Sequence, residues 1–242
     1  RKQARQVWLE TIETYAKAGQ WRQLGHIAKA AIEDQVSVNK ILEIAEKIQS
    51  EPFLRAIVAT QNMRALAEST GIEKSELFRI ALYIETEFEQ ERQTSGQVYF
   101  SRRNTGLERT LEYDPESKLI FIHLKDHGVD EIGRGVKKIV TKSILYDVQN
   151  PEFVARCTST YNMQNEIAAL RYMQGARGIV RLFASSERTT KDGVKVYNIM
   201  CKLYEGGTLS KAFSSKYKFS FKQKLDIASD LLEGLSAIHA KG

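Results

Sequence analysis

Residues 132–140 have the sequence I-G-R-G-V-K-K-I-V, and the interpretation of the other segments starts from this pattern. Its pattern predicts a strand that enters a glycine turn and a second strand that leaves it. Gly133 and Gly135 carry no Cβ atom, so the backbone there is able to pass close to a bulky anionic ligand. A G-x-G pair alone is common in ordinary turns. Whether this pair belongs to a ligand-binding loop therefore has to be judged from the segments that follow it.

Composition and charge narrow the class of protein. The 242 residues are 42% hydrophobic and 27% charged, as expected for a soluble globular protein with one large or two ordinary domains. Residues 1–95 hold 13 basic and 14 acidic side chains, whereas residues 96–242 hold 23 basic and 16 acidic ones. The basic part is therefore the better place for a phosphate-bearing ligand. Basic and aromatic residues do not alternate densely, so we expect no nucleic acid partner.

The apolar runs and the cysteines indicate the cellular location of the protein. No apolar run approaches the roughly 18 residues of a membrane span, so we expect none. Cys157 and Cys201 provide neither a disulfide framework nor a metal-ligand spacing, which fits a reducing compartment, and we expect a cytoplasmic protein. A redox switch would need their Cα atoms within about 7 Å. We expect them to lie farther apart.

Residues 1–95 are predicted to form a helical domain. Residues 1–93 are expected to be helical throughout, because apolar residues recur at spacings of three and four. Gly19 is expected to end the first helix. Pro52 is expected to open a later helix, with Ser50 as its candidate N-cap. We expect this helical domain to be regulatory or to serve as a docking surface.

The first two helices contain large and small residues at the packing positions of a tetratricopeptide hairpin. These residues are Trp8, Tyr15, Gly19, Trp21 and Ala31. A second copy about 34 residues later would need matching residues, and the chain instead has Leu42, Gln49 and Phe53 there, so the repeat is absent. We interpret the tryptophans as core residues of a small helical bundle, and a protein partner that docks on residues 1–95 stays open.

From Gln97 the apolar pattern changes from a helical to a strand-like period. Residues 96–128 form a connecting segment, in which two strands flank the turn D-P-E-S at 114–117. The elements expected after the glycine turn are strands over 139–146, 153–157, 179–184 and 196–201, a short helix over 162–174 and a long helix over 221–241. This order predicts an α+β fold with an antiparallel sheet.

The order of these segments resembles the small lobe of a eukaryotic-like protein kinase and the start of its large lobe, over residues 129–242. The stretches that carry the resemblance are the glycine-rich loop at 133–140, V-A-R-C at 154–157, N-E-I-A-A-L at 165–170, G-I-V-R-L-F at 178–183, N-I-M-C-K-L-Y-E-G-G-T-L at 198–209 and the helix at 225–242. Each is weak alone, and their order is the stronger signal. The resemblance implies a five-stranded antiparallel sheet with a short helix C, followed by the first long helix of the large lobe.

The resemblance also implies a lysine on the α- and β-phosphates of ATP and a helix C carboxylate that holds it. The third strand has Cys157 where the family has this lysine, and Lys138 replaces the third glycine of the loop, which is similar to the "with no lysine" kinases. A flexible ammonium can reach the same phosphates from the second strand. We therefore predict Lys138 and Glu166 as the catalytic pair. The alternative for Lys138 is a solvated loop lysine in a degenerate pocket. The alternative for Glu166 is an exposed helix carboxylate, because helix C is roughly two turns shorter than usual.

Further residues are implied around the nucleotide. Gly133 and Gly135 would cover the phosphates, while Val140 and Ala155 would pack on the adenine. The gatekeeper and hinge positions fall on Cys201, Lys202, Leu203 and Tyr204. The implied cofactors are ATP and Mg²⁺, and the magnesium ligands are expected beyond residue 242.

We expect the N-terminal fragment of a serine/threonine-type protein kinase. The intact protein would transfer the γ-phosphate of ATP to hydroxyl groups of a protein substrate. The sequence contains no H-R-D and no D-F-G motif, so we expect these 242 residues alone to be inactive. The alternative is a non-catalytic, pseudokinase-like scaffold that binds a partner protein through its helical domain.

Overall fold

A computed structural model describes residues 2–124, 130–205, 214 and 218–240. Contacts between residues divide the chain into two compact units. The first unit contains Arg1–Asp130 and Ser143–Phe153, and the second unit contains Glu131–Lys142 and Val154–Gly242. The G-G-T-L stretch at 206–209 and the predicted segment boundary at 128–129 lie outside the described residues.

The chain is a mixed α+β protein, as predicted, and its N-terminal region is helical. The helices of this region are α1 (Lys2–Lys17), α2 (Trp21–Glu33), α3 (Val38–Ile48), α4 (Glu51–Asn62), α5 (Arg64–Thr70), α6 (Lys74–Tyr83) and α7 (Glu89–Ser95). A π-helical turn over Ile84–Phe88 joins α6 to α7. None of the helices in the described ranges has both the length and the apolarity that crossing a membrane requires.

The ends of these helices follow from local residues. Gly19 has a φ of +64° two residues after α1 ends, a left-handed conformation that glycine adopts without strain. Ser50 is the residue before α4, and Pro52 lies in the first turn, but the Ser50 side chain accepts no capping hydrogen bond. At α3 the Ser37 hydroxyl does accept one, from the Asn39 N–H at 3.2 Å. Local residues therefore account for the end of α1 and the start of α3.

Aromatic side chains form the centre of the helical core. Phe53 and Phe78 are fully buried, and their ring centroids lie 6.2 Å apart in an edge-to-face arrangement. Trp21 contacts Phe53 at 6.5 Å between centroids. Trp8 packs against the same core, and its indole N–H donates to Asp34 at 3.0 Å. Both tryptophans are thus partly buried and pack against the core, whereas the sequence pattern predicted core residues.

The strands form one antiparallel sheet with the order β1-β2-β3-β5-β6-β8-β7, and β4 pairs with β5. They are β1 (Tyr99–Phe100), β2 (Thr110–Asp114), β3 (Leu119–His123), β4 (Glu131–Arg134), β5 (Ile139–Tyr146), β6 (Glu152–Ser159), β7 (Leu182–Thr189) and β8 (Lys195–Lys202). A four-residue helix, α8 (Arg102–Thr105), follows β1.

The predicted sheet of five strands is wrong, because the sheet has eight. The reason is the length of β5. Its first half pairs with β4, where Arg134 lies opposite Ile139, and its second half pairs with β3, where His123 lies opposite Ser143. The same hydrogen-bonded sheet therefore includes β1, β2 and β3. Their residues were predicted to form a separate connecting segment.

The second unit also contains the helices α9 (Gln164–Tyr172) and α10 (Phe221–Ala240). Gly234 of α10 faces Gly178, which has a φ of +78°. The Arg177 guanidinium pairs with Asp230 at 3.1 Å and with Glu233 at 2.8 Å. Two glycines and these ion pairs therefore position α10. Apolar side chains of α10 stay exposed, and they are Phe221, Leu225, Leu231, Leu232, Leu235 and Ile238.

We expect Gly178→Ala to lower the free energy of unfolding of the second unit more than Gly193→Ala does. Both glycines have a φ near +77°, so both alanines carry a conformational cost of about 1–2 kcal/mol. Only at Gly178 does an added Cβ lie 3.0 Å from Gly234 Cα, and crowding of this kind costs roughly 1–3 kcal/mol more. Urea unfolding monitored by far-UV circular dichroism, with hydrogen exchange of the α10 amides, measures the difference. Equal losses for the two variants would contradict the contact.

Candidate functional site

The glycine stretch folds as the predicted hairpin. Gly133 lies opposite Val140, and Arg134 lies opposite Ile139. The Gly135 N–H donates to the Lys138 carbonyl at 2.8 Å, which closes a tight turn. Val136 at the tip of this turn is 98% exposed. We call residues 135–138 the glycine turn.

The fold itself does not require glycine at either position of the G-x-G pair. Neither Gly133 nor Gly135 has a positive φ. A Cβ added at Gly133 would meet nothing within 4 Å, and one added at Gly135 would make an ordinary contact of 3.8 Å with the Lys138 carbonyl. The bare backbone is therefore available for close approach by another molecule, which is the role that the sequence predicted for it.

The structure joins Lys138 and Glu166, the two predicted catalytic residues. The Lys138 ammonium donates a hydrogen bond to Glu166 Oε2, and the two side chains form an ion pair between the glycine turn and α9. Glu166 lies in the first turn of α9, where the helix dipole favours a carboxylate. Lys138 is 37% exposed and Glu166 44% exposed. The ammonium therefore has a fixed partner, although α9 is short.

One face of the β6–β8 ladder carries the predicted adenine-side residues. Ala155 lies opposite Cys201, and Cys157 lies opposite Ile199. Opposed residues of an antiparallel pair, and every second residue along a strand, share a face. Ala155, Cys157 and Cys201 therefore lie together on the face that α9 covers, since Ile167 and Leu170 of α9 pack against the cluster that contains Ile199.

Val140 belongs to the same face by alternation along its strand. Lys138 reaches α9, and Val140 is two residues farther on, so both side chains point to the same side of the sheet. The side chain of Lys202 points to the opposite face from that of Cys201, its neighbour in β8. The ion pair, Val140, Ala155 and Cys201 are thus gathered on one surface of the second unit.

The predicted hinge residues lie where β8 ends. The Lys202 N–H donates to the Arg181 carbonyl at 2.9 Å, and Lys202 is the last residue of the strand. Leu203 is half-buried, whereas Tyr204 is 61% exposed. The backbone N–H and C=O groups of Leu203 and Tyr204 form no hydrogen bond with another backbone group in the described part of the chain. Leu203 and Tyr204 are two of the residues predicted to contact an adenine edge through the backbone.

Both thiols of the site are free and protonated at neutral pH. Burial raises the pKa of the Cys157 thiol, while Lys138 lowers this pKa and Glu166 raises it. Burial, Cys157 and Glu166 together raise the pKa of the Cys201 thiol to about 11. The two cysteines are diagonal in the β6–β8 register, and diagonal neighbours have Cα atoms about 7–8 Å apart. A disulfide is therefore unfavourable, in line with the expectation from sequence.

Sequence reasoning missed a set of contacts beside the glycine turn. The Ser159 hydroxyl donates to the Lys137 carbonyl at 2.7 Å and accepts from the Tyr161 N–H at 3.0 Å. The Lys137 ammonium lies 5.1 Å from the centre of the Tyr161 ring. The local bond from Tyr161 to Ser159 is typical of serine followed by a turn. The contact with Lys137, 22 residues away, leaves no signal in the sequence.

No three His, Cys, Asp or Glu side chains in the described part of the chain come together as metal ligands. A comparison with protein-family models found no match, and a comparison with curated protein sequences found none either. Function must therefore be inferred from the residues and their arrangement.

We expect charge changes at the ion pair to alter the alkylation rate of Cys157 in opposite directions. Glu166→Gln removes a charge that raises the thiol pKa, so more thiolate is present and alkylation is faster. Lys138→Met removes a charge that lowers this pKa, so alkylation is slower. Changes on the order of two- to five-fold are expected for partly exposed charges. The measurement is iodoacetamide labelling at pH 8 by mass spectrometry, in a Cys201→Ser background.

Glu187→Gln is the matched control for this labelling experiment. Glu187 pairs with Lys195 at 2.5 Å on the β7–β8 hairpin, and it does not affect the pKa of Cys157. Its rate should equal that of the parent. Rates that move in the same direction for Glu166→Gln and Lys138→Met would show that the ion pair does not act on the thiol.

Proposed function

We propose that residues 129–242 are the ATP-binding small lobe, with the first large-lobe helix, of a serine/threonine-type protein kinase. The ion pair between Lys138 and Glu166 carries this proposal. The resemblance implies this pairing, and the two residues lie 28 positions apart in the chain. An accidental pairing of surface charges would not be expected to join the two side chains that the resemblance implies.

The ion pair contributes little to the free energy of unfolding, and this supports a functional role for it. Ion pairs between half-exposed side chains contribute about 0–1 kcal/mol to the free energy of unfolding, because water and salt screen them. The pair therefore adds little to the stability of α9 or of the hairpin. A lysine that is fixed by a carboxylate beside a bare glycine backbone is well placed to bind a phosphate group.

Each remaining predicted residue fits a part of the nucleotide. Lys138 would bind the α- and β-phosphates, and Glu166 would hold the ammonium in place. Val140 and Ala155 present apolar surface on the same face for the adenine ring, and Cys201 adds a neutral thiol there.

Magnesium would neutralise charge on the β- and γ-phosphates when bound, and its ligands are expected outside these 242 residues. The same expectation holds for the residues that activate the protein hydroxyl that receives the γ-phosphate. The free thiols of Cys157 and Cys201 fit a cytoplasmic protein, and we include this location in the proposal.

The second candidate is a non-catalytic scaffold that binds a partner protein. It is favoured by the exposed apolar side chains of α10, of which Phe221 is 78% and Leu232 is 66% exposed. Apolar groups gathered on a surface are common in protein interaction sites. Under the kinase proposal the same side chains are those that the rest of a large lobe would cover. Nucleotide binding distinguishes the two candidates.

We expect Lys138→Met to weaken ATP binding by roughly 10- to 100-fold, the loss that removal of a charge-assisted hydrogen bond produces. Isothermal titration calorimetry of the full chain with ATP and MgCl₂ measures the dissociation constant. Lys191→Met is the matched control, because Lys191 is an exposed lysine in the turn between β7 and β8 and does not belong to the glycine turn. The control should stay within about two-fold of the parent, since a residual change in long-range charge is screened.

Two results would contradict the kinase proposal. Equal losses for the two lysine variants would show that ATP responds only to net charge. Absence of heat, together with an unchanged melting temperature at millimolar ATP, would favour the scaffold, because a ligand that binds the native state must stabilise it.

A further inference from the structure

Ser159 ends β6 and is almost fully buried, with 4% of its surface exposed. Its hydroxyl makes two hydrogen bonds, one donated to the Lys137 carbonyl at 2.7 Å and one accepted from the Tyr161 N–H at 3.0 Å. The first of these bonds joins the end of β6 to the glycine turn. Ser159 therefore links two segments that are 22 residues apart.

The Lys137 carbonyl belongs to the peptide group that continues into Lys138. A peptide group is planar, so a bond that fixes its carbonyl oxygen also fixes the nitrogen and Cα of the next residue. The other side of Lys138 is fixed by the hydrogen bond that its own carbonyl accepts from the Gly135 N–H. Together, the two bonds determine the direction in which the Lys138 side chain leaves the turn.

A contact between side chains holds the same residue. The Lys137 ammonium lies 5.1 Å from the centre of the Tyr161 ring, within the range of a cation–π interaction. Lys137 is thus held through its carbonyl by Ser159 and through its ammonium by Tyr161. This leaves Lys138 as the lysine of the turn that meets α9, through Glu166.

We propose that Ser159 is a positioning residue, which holds the glycine turn so that the Lys138 ammonium meets Glu166 and the phosphates. The part of this proposal that concerns phosphates rests on the proposed ATP site. A purely structural role is the competing explanation, in which the hydroxyl only satisfies buried hydrogen-bonding groups at the end of β6. The two explanations differ in whether the effect of Ser159 passes through Lys138.

Nucleotide binding supplies the first test. We expect Ser159→Ala to weaken ATP binding about three- to ten-fold, as the loss of one net hydrogen bond implies, and to leave adenosine binding unchanged. Adenosine has no phosphate for Lys138 to bind. Thr158→Val is the matched control, because the Thr158 hydroxyl donates to the Asn198 side chain at 2.9 Å and does not contact the turn. Equal weakening of ATP and adenosine, or an effect as large in the control, would overturn the proposal.

A double-mutant cycle supplies the second test. If Ser159 acts through Lys138, Ser159→Ala should cost nothing further in a Lys138→Met background. Ser159→Thr keeps a hydroxyl on the same Cβ and should restore ATP affinity to within about two-fold of the parent, because the hydrogen bond can form again. Additive losses in the cycle would show that Ser159 does not act through Lys138.

Hydrogen exchange of the glycine turn tests the proposal without any nucleotide. The Gly135 amide is bonded to the Lys138 carbonyl, and we expect Ser159→Ala, but not Thr158→Val, to speed its exchange several-fold. If the parent chain binds no ATP, the proposed function fails, and faster exchange in Ser159→Ala alone still supports the positioning of the turn. Unchanged exchange of the Gly135 amide in Ser159→Ala would overturn it.

Discussion

Alternation along β5 and β6 determines where the charges of the second unit can meet. Side chains on a strand point to opposite faces in turn, so the register of the hairpin decides which of two adjacent lysines faces α9. The register pairs Gly133 with Val140 and closes the turn from Gly135 to Lys138. With that register Lys138 reaches Glu166, and Lys137 is directed to Tyr161. The proposed site depends on this single constraint.

Cys157 of β6 places a neutral residue beside the ammonium that the glycine turn supplies. Cys157 lies next to the ion pair, and burial keeps its thiol protonated by raising the thiol pKa. A second ammonium at this position would repel Lys138 and compete with it for Glu166. A small, uncharged thiol instead leaves the carboxylate to one partner. Burial and charge at Cys157 therefore favour the arrangement that the hairpin produces.

Local patterns in the sequence predicted the elements better than their partners. Strand β5 has the bounds that its apolar pattern predicted, 139–146, and the pairing of Lys138 with Glu166 was also predicted. The pairing of β3 with β5 was not, because pairing between distant strands leaves no periodic signal in either strand. The contact of Ser159 with Lys137 was missed for the same reason.

The bounds of β7 differ from the prediction for a packing reason. Ile179 was placed at the start of a strand over 179–184, whereas β7 spans Leu182–Thr189. The chain just before it must bring Gly178, in a left-handed conformation, against Gly234 of α10. A long-range contact between two glycines thus overrides a local apolar run, and only the structure reveals it.

The adjacent lysines of the glycine turn also bear on what a shift in the pairing of β4 and β5 would change. A one-residue slip between β4 and β5 would reverse the faces of all the side chains that follow the turn. In most hairpins such a slip removes a functional group from its site. Here Lys137 would take the place that Lys138 leaves, so a mispaired chain would still present an ammonium to α9.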